Sequence, residues 1–315
     1  MRELRVFTGN AHPALAQSIA NHLGVPLGAA LVDKYRNGET RVLVEENVRG
    51  ADVFVIQPTC DPVNHNLMEL LIMVDAIKRA SASRITAVIP YYGYAKQEKK
   101  SRPREPITAK LVADLLQTAG AHRILTCDLH APAIEGFFNI PVDHLQGRRL
   151  LADRCRELDL PNPVVVAPDA GRVGWAMEVR ERLGSHADLA LIAKQRPEAD
   201  KSYAVEMVGN VRNKTALLID DMIMTGGTLV EAARMLIDRG ASAVYAFATH
   251  AAFAPDTRDR LERSPFTKVL LSDTVPIPNR ERYESSKIEV ISVASLFAEA
   301  ILHIHEDRSV SALFR

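Results

Sequence analysis

Short runs rich in valine, isoleucine and leucine, separated by stretches with helical spacing, recur from one end of this chain to the other and constrain its fold more than any other feature. They lie at Arg5–Thr8, Val53–Gln57, Ile85–Pro90, Arg123–Asp128, Val164–Pro168, Ala187–Ala193, Thr215–Asp220, Ala243–Thr249, Lys268–Ser272 and Glu289–Val293. A brief run that is apolar on both faces reads as a strand of a parallel sheet with helices covering each side. Between the runs, Leu67, Leu70, Leu71, Val74 and Ile77 fall on one helical face, and Leu229, Ala232, Ala233 and Leu236 repeat the spacing before Gly240, a residue suited to a left-handed cap. Each of these helices leads through a short alanine–serine turn into another strand, so one α/β unit is used twice. A length of 315 residues fits two such domains. We expect the first over residues 1–146 and the second over 147–302, with the last helix, Ala294–His305, and the tail at 303–315 free to pack back on the first.

Composition narrows the partners. Thirty-nine Lys plus Arg balance thirty-nine Asp plus Glu, so no overall field draws the chain to nucleic acid or to an anionic membrane. Any anion site must be local. Cys60, Cys127 and Cys155 are odd in number and contain no CxxC pair, which disfavours a disulfide framework or a zinc knuckle. No apolar segment follows Met1-Arg2-Glu3-Leu4-Arg5, and the most apolar stretch, Leu67–Ile77, carries Glu69 and Asp75 and is too short to span a bilayer. These features lead us to expect a cytoplasmic location.

The sharpest motif is Leu217-Leu218-Ile219-Asp220-Asp221-Met222-Ile223-Met224-Thr225-Gly226-Gly227-Thr228. A buried strand delivers two carboxylates at its carboxyl end, where open α/β sheets bind ligands. A glycine turn then opens a helix, and the N–H groups of Thr225 to Thr228 suit a phosphate dianion. Carboxylates repel phosphate, so Asp220 and Asp221 must serve otherwise, either by accepting hydrogen bonds from a vicinal diol or by holding a hydrated Mg2+. Phosphate and diol on one loop together describe a sugar phosphate. No lysine follows the glycines, so this is not a Walker loop, and GxGxxG is absent. The competing reading, in which the aspartates only finish a strand and the glycines only turn the chain, stays open on these residues alone.

This loop resembles the phosphoribosyl diphosphate loop of type I phosphoribosyltransferases and of ribose-phosphate diphosphokinases. Further segments single out the second family: Asn37-Gly38-Glu39, Gly50 to Thr59, Asn66 to Ala82, Ile85 to Ala95, Pro106 to Ala113, Asp128-Leu129-His130, Gly136-Phe137-Phe138, Pro141-Val142-Asp143 and Ser309 to Phe314. The resemblance implies an α/β fold of two tandem type I phosphoribosyltransferase-like domains, each a mainly parallel sheet flanked by helices. It also implies an enzyme that moves the β,γ-diphosphoryl group of ATP to the 1-hydroxyl of ribose 5-phosphate with Mg2+. By that resemblance Tyr35, Asn37, Gly38, Glu39, Lys96, Gln97 and His130 meet ATP, and His130 and Asp169 serve the metal. Asp220, Asp221, Met224, Thr225, Gly226, Gly227, Thr228 and Arg196 meet ribose 5-phosphate, and Lys194 and Arg196 stabilise the transition state. Members are homo-oligomers, commonly hexamers built from dimers, with phosphate and ADP as effectors; Arg49, Ser81, Arg104, Ser309, Ser311 and Phe314 are the candidates for that effector site.

The residues give some of these assignments independent support. Lys96, Lys99, Lys100, Arg102 and Arg104 face only Glu98 across nine positions, a concentration of cations in a neutral chain and a fitting place for a triphosphate. Lys194 and Arg196 would read as surface charges without the resemblance. Met224 stands where the family usually has Asp, Arg172 replaces a frequent Gly, and Gly174-Trp175 replaces a usual basic pair. Two rivals follow: a weakly active or non-catalytic regulatory paralogue, and a phosphoribosyltransferase that uses the diphosphate as donor.

Overall fold

The computed structural model describes residues 2–194, 205–277 and 287–314. They form two compact units, one of residues 1–146, 274–276 and 292–315, the other of residues 147–273 and 277–291.

In the first unit the order is β1 (Leu4–Thr8), α1 (Pro13–Leu23), β2 (Ala30–Lys34), β3 (Thr40–Val44), β4 (Asp52–Ile56), α2 (Val63–Arg79), β5 (Arg84–Ile89), α3 (Thr108–Ala119), β6 (Arg123–Cys127) and β7 (Val142–Leu145). Its main sheet runs β1-β4-β5-β6-β7, every pair parallel. All five residues of β4 are buried, as a central strand with both faces covered requires. On α2 the buried apolar stripe is Leu67, Leu70, Met73, Val74 and Ile77, with Leu71 only half-buried at its edge. β2 and β3 pair with each other as an antiparallel hairpin.

The second unit comprises α4 (Gly147–Glu157), β8 (Pro163–Ala167), α5 (Val173–Leu183), β9 (Asp188–Lys194), β10 (Val205–Val208), β11 (Thr215–Met222), α6 (Gly227–Asp238), β12 (Ala243–His250), α7 (Thr257–Glu262), β13 (Lys268–Ser272) and β14 (Ile288–Ile291). Its sheet runs β10-β9-β8-β11-β12-β13-β14, parallel except for β10 against β9. Along β11, Ala216 and Leu218 enter one core while Leu217 and Ile219 enter the core on the opposite face. That two-period alternation explains why the strand reads as continuously apolar.

Each expected strand is present within a residue or two of its sequence limits, including the last, which ends at Ile291 rather than Val293. Four strands were not foreseen: β2, β3, β7 and β10. They are short, and β2, β3 and β7 have few fully buried positions, so a search for apolar runs passes over them. The expected limit of the second domain at residue 302 needs correction. α8 (Ala294–His305) packs on α1, burying Phe297, Ile301 and Ile304, and so belongs with the first unit. His305 Nδ1 lies 2.9 Å from Asp52 Oδ2, and Arg84 Nη2 donates to the Ile304 carbonyl at 2.7 Å. The three cysteines are free and buried. No helix among the described residues is long and apolar enough to cross a membrane.

Candidate functional site

β11 lies between β8 and β12 in the second unit, and its last residues carry the acidic pair. The strand continues through Asp220 and Asp221 to Met222, two residues beyond the expected end, and Ile223 N–H still donates to the His250 carbonyl at 2.9 Å. The loop then turns at Gly226, whose φ of +69° is left-handed. A β-carbon there would meet only ordinary contacts at 3.5 Å, so it is backbone conformation rather than space that calls for glycine. Gly227 opens α6, and a β-carbon on it would meet the Arg260 guanidinium at 3.7 Å, an ordinary contact. No side chain caps this helix, leaving its first-turn N–H groups to an outside acceptor.

The loop is braced from behind. Ala254 N–H and the Thr257 hydroxyl both donate to the Met224 carbonyl. Arg260 Nη1 donates to the Thr225 carbonyl at 2.5 Å, which sets a guanidinium beside the glycine turn. Sequence reading missed Arg260; its only signal was one cation among several on a short polar helix. The Met224 side chain is exposed, so what the loop uses at this position is its carbonyl.

The two carboxylates are not equivalent. Asp221 is 2% exposed, whereas the Asp220 side chain is 30% exposed and is the one that faces outward. Arg172 binds both, with Nε on Asp220 Oδ1 at 3.1 Å and Nη2 on Asp221 Oδ1 at 2.8 Å. Burial, followed by the charge and hydrogen bond of Asp221, raises the Asp220 carboxyl to about 7, while Arg172 pulls against that rise. Asp169 is exposed at the end of the neighbouring strand β8. Lys194 is the last residue of β9; its side chain, and all of Arg196, lie outside the described residues.

In the first unit, Tyr35 to Glu39 form the loop of the β2–β3 hairpin. Tyr35 N–H donates to the Glu39 carbonyl at 2.8 Å, Gly38 has φ +91°, and Asn37 Oδ1 accepts from Glu39 N–H at 3.2 Å. The Tyr35 ring is exposed, with the Arg41 guanidinium 5.8 Å above it. Lys96 and Gln97 are exposed ahead of α3, and Gln97 accepts from Thr108 at 2.5 Å. His130 follows β6 in a turn supported by His144, whose Nε2 accepts from Leu129 N–H at 2.8 Å. Of the effector candidates, the backbone joins Arg49 and Ser81 through the bond from Gly50 N–H to the Ser81 carbonyl, 2.9 Å. Ser309 and Ser311 bond to each other at 3.2 Å. Arg104 has no hydrogen bond to any of these among the described residues, and the Phe314 side chain lies outside them.

Among the described residues no three His, Cys, Asp or Glu side chains gather as a metal cage. Mg2+ does not ask for one, because it keeps several waters and takes one or two carboxylates plus phosphate oxygens. The exposed Asp169 carboxylate fits that requirement.

Comparison with known proteins identifies the family. Residues 4–120 match the N-terminal domain of ribose phosphate pyrophosphokinase, and residues 186–315 match the phosphoribosyl synthetase-associated domain. A ribose-phosphate pyrophosphokinase of Caldanaerobacter subterraneus is 54% identical over 99% of this chain and 98% of its own length; that of Wolinella succinogenes is 48% identical over the whole of both. The crystal structure of phosphoribosylpyrophosphate synthetase from Mycobacterium smegmatis superposes with a TM-score of 0.91 at 43% identity, covering 97% of this chain and 100% of that one. With both halves matched in order and such identity running end to end, this chain belongs to the ribose-phosphate pyrophosphokinase family.

Proposed function

We propose that the chain is a ribose-phosphate diphosphokinase: ATP and ribose 5-phosphate give 5-phospho-α-D-ribose 1-diphosphate and AMP. The observation that carries the reading is the loop after β11, where helix amides without a side-chain cap adjoin a partly exposed Asp220. The amides of Thr225, Gly226, Gly227 and Thr228 receive the 5-phosphate, with Arg260 adding a cation beside them. Asp220 accepts from the ring hydroxyls, and Asp221 fixes Arg172 behind it. Met224 contributes its backbone to this loop. The first unit supplies the ATP side: Tyr35 offers a face for adenine, Asn37, Gly38 and Glu39 its polar edge, and Lys96, Gln97 and His130 the phosphates.

The 1-hydroxyl attacks the β-phosphorus in line, so the protein's share is positioning and charge neutralisation. Lys194 and Arg196 hold the transferring diphosphoryl oxygens. When bound, Mg2+ adds neutralisation of the phosphate charge, and Asp169, with His130, is the group to hold it. A cytoplasmic homo-oligomer of the hexamer type, with phosphate and ADP as effectors near Arg49, Ser81, Arg104, Ser309, Ser311 and Phe314, completes the reading.

The test is AMP release from ATP, Mg2+ and ribose 5-phosphate, with the phosphorylated product identified by mass. AMP formed only when ribose 5-phosphate is present supports the reading. Nucleotide binding without turnover supports the non-catalytic paralogue, and consumption of the diphosphate with a base supports a transferase. Lys194→Ala is expected to remove turnover while leaving ribose 5-phosphate binding within about twofold.

A further inference from the structure

Arg172 and Trp175 meet beside the acidic pair. Arg172 ends the short turn that follows β8 and is 8% exposed. Its guanidinium bridges Asp220 and Asp221 on one side and lies 5.1 Å from the centre of the Trp175 ring on the other. The same indole carries a second guanidinium, Arg148, at 4.7 Å, itself held by Glu178 through Nε and Nη2 at 2.8 Å each. Trp175 is 8% exposed. The result is a cluster in which two largely buried guanidinium groups share one indole and hold three carboxylates, Asp220, Asp221 and Glu178, with one end in the proposed sugar site.

We propose that Arg172 is a positioning residue of that site: it acts through Asp220, setting the orientation of the carboxylate that reads the ribose hydroxyls. The inference rests on the sugar-site reading above. Asp220 Oδ1 is committed twice, to Arg172 Nε at 3.1 Å and to Asp221 N–H at 2.9 Å, while the side chain stays 30% exposed. Two carboxylates in contact repel each other, and a guanidinium bridging them offsets that repulsion. Trp175 keeps the bridge rigid, because cation–π stacking and burial remove the freedom a long side chain would have on a surface. A lysine at 172 would bring the charge without the fork that reaches both partners. Asp221, almost fully enclosed, then serves as the anchor of the fork and Asp220 as the reader.

The test uses the whole enzyme and ribose 5-phosphate, with 2-deoxyribose 5-phosphate as the probe that lacks one hydroxyl. Arg172→Met retains packing on the indole and removes the charged fork. We expect its KM and calorimetric Kd for ribose 5-phosphate to rise at least tenfold and its preference for ribose over the deoxy sugar to fall by a similar factor. The KM for ATP, and kcat at saturating sugar, should stay within about threefold. Arg172→Lys should recover only part of the loss. An unchanged Kd and unchanged sugar preference in Arg172→Met overturn the proposal, and so do equal losses for both substrates accompanied by a lower melting temperature, which mark a purely structural role. Asp220→Asn separates the two levels. If the unaltered enzyme does not bind ribose 5-phosphate, or if Asp220→Asn leaves that binding intact, the sugar-site reading falls and Arg172's role goes with it. Binding that Asp220→Asn weakens and Arg172→Met does not overturns the present inference alone.

Discussion

The two units carry the same passage, a central parallel strand running into a loop and then a helix, yet they use it in opposite ways. In the first, β4 lies between β1 and β5 and leads to α2; in the second, β11 lies between β8 and β12 and leads to α6. After β4 the polar groups are turned on one another. Glu69, 1% exposed, accepts from Gln57 Nε2 at 2.7 Å, Asn10 N–H at 2.7 Å and Asn10 Nδ2 at 2.9 Å. A β-carbon on Gly9 would strike the Gln57 carboxamide at 2.4 Å, so that carboxamide is pressed against the backbone after β1. Neither α2 nor α6 has a side-chain cap, but after β11 the corresponding ground holds a left-handed glycine and a partly exposed carboxylate. A repeated backbone plan therefore does not repeat a binding site. The difference lies in the carboxylates: Glu69 is buried and bonded from inside, while Asp220 keeps a partly exposed face.

Four substitutions test this contrast, beginning with the largest effect. Glu69→Ala removes the acceptor for three donors, and with unsatisfied groups costing about 1–3 kcal/mol each the melting temperature should fall by roughly 10 °C. Calorimetry should show ribose 5-phosphate affinity unchanged; a comparable loss of sugar affinity would break the contrast. Gly226→Val forces a β-branched residue into φ +69°, and we expect about a 100-fold loss of ribose 5-phosphate affinity, ~2.7 kcal/mol. Titration calorimetry measures it, and a loss below fivefold would show that the amides are not the phosphate ligand.

Asp220→Asn should weaken sugar binding about tenfold at pH 8, with little further effect at pH 6. The Asp220 carboxyl titrates near 7, above its ordinary 3.8, so the native state holds its proton longer than the unfolded chain. Stability is therefore lost as pH rises from about 4 to about 7, and the full cost is present above 7. The asparagine variant should accordingly melt a few degrees higher than the parent at pH 8 and not at pH 4. The smallest effect belongs to Met224→Asp, expected to change KM and kcat by less than about threefold, because that side chain is exposed and the loop bonds through its carbonyl.

How legible these features were depends on how local their physics is. The strand–acid–glycine passage could be read from spacing, since a buried strand, a left-handed turn and an uncapped helix each leave a residue signature within a few positions. The inequality of Asp220 and Asp221 could not, because it depends on Arg172, forty-eight residues before Asp220, and on the indole beside it. Arg172 and Trp175 stood out only as departures, and nothing in their spacing pairs them with the aspartates. Arg260 was illegible for the same reason: it reaches Thr225 across thirty-five residues. The hairpin β2–β3 carried an Asn-Gly signal at its turn but was passed over because its strands are half-exposed. The return of the last helix to the first half was legible, and only the limit set at residue 302 followed chain order instead of spatial order.

That last point reaches into how the molecule is made. Asp52 and Arg84 near the amino end wait for His305 and the Ile304 carbonyl, which are synthesised more than two hundred positions later. During translation the second unit has all its strands before α8 emerges, whereas the first still lacks the helix that covers α1. A chain truncated at residue 291 would thus keep every strand of the carboxyl-side unit and leave the amino-side unit with a bare apolar flank.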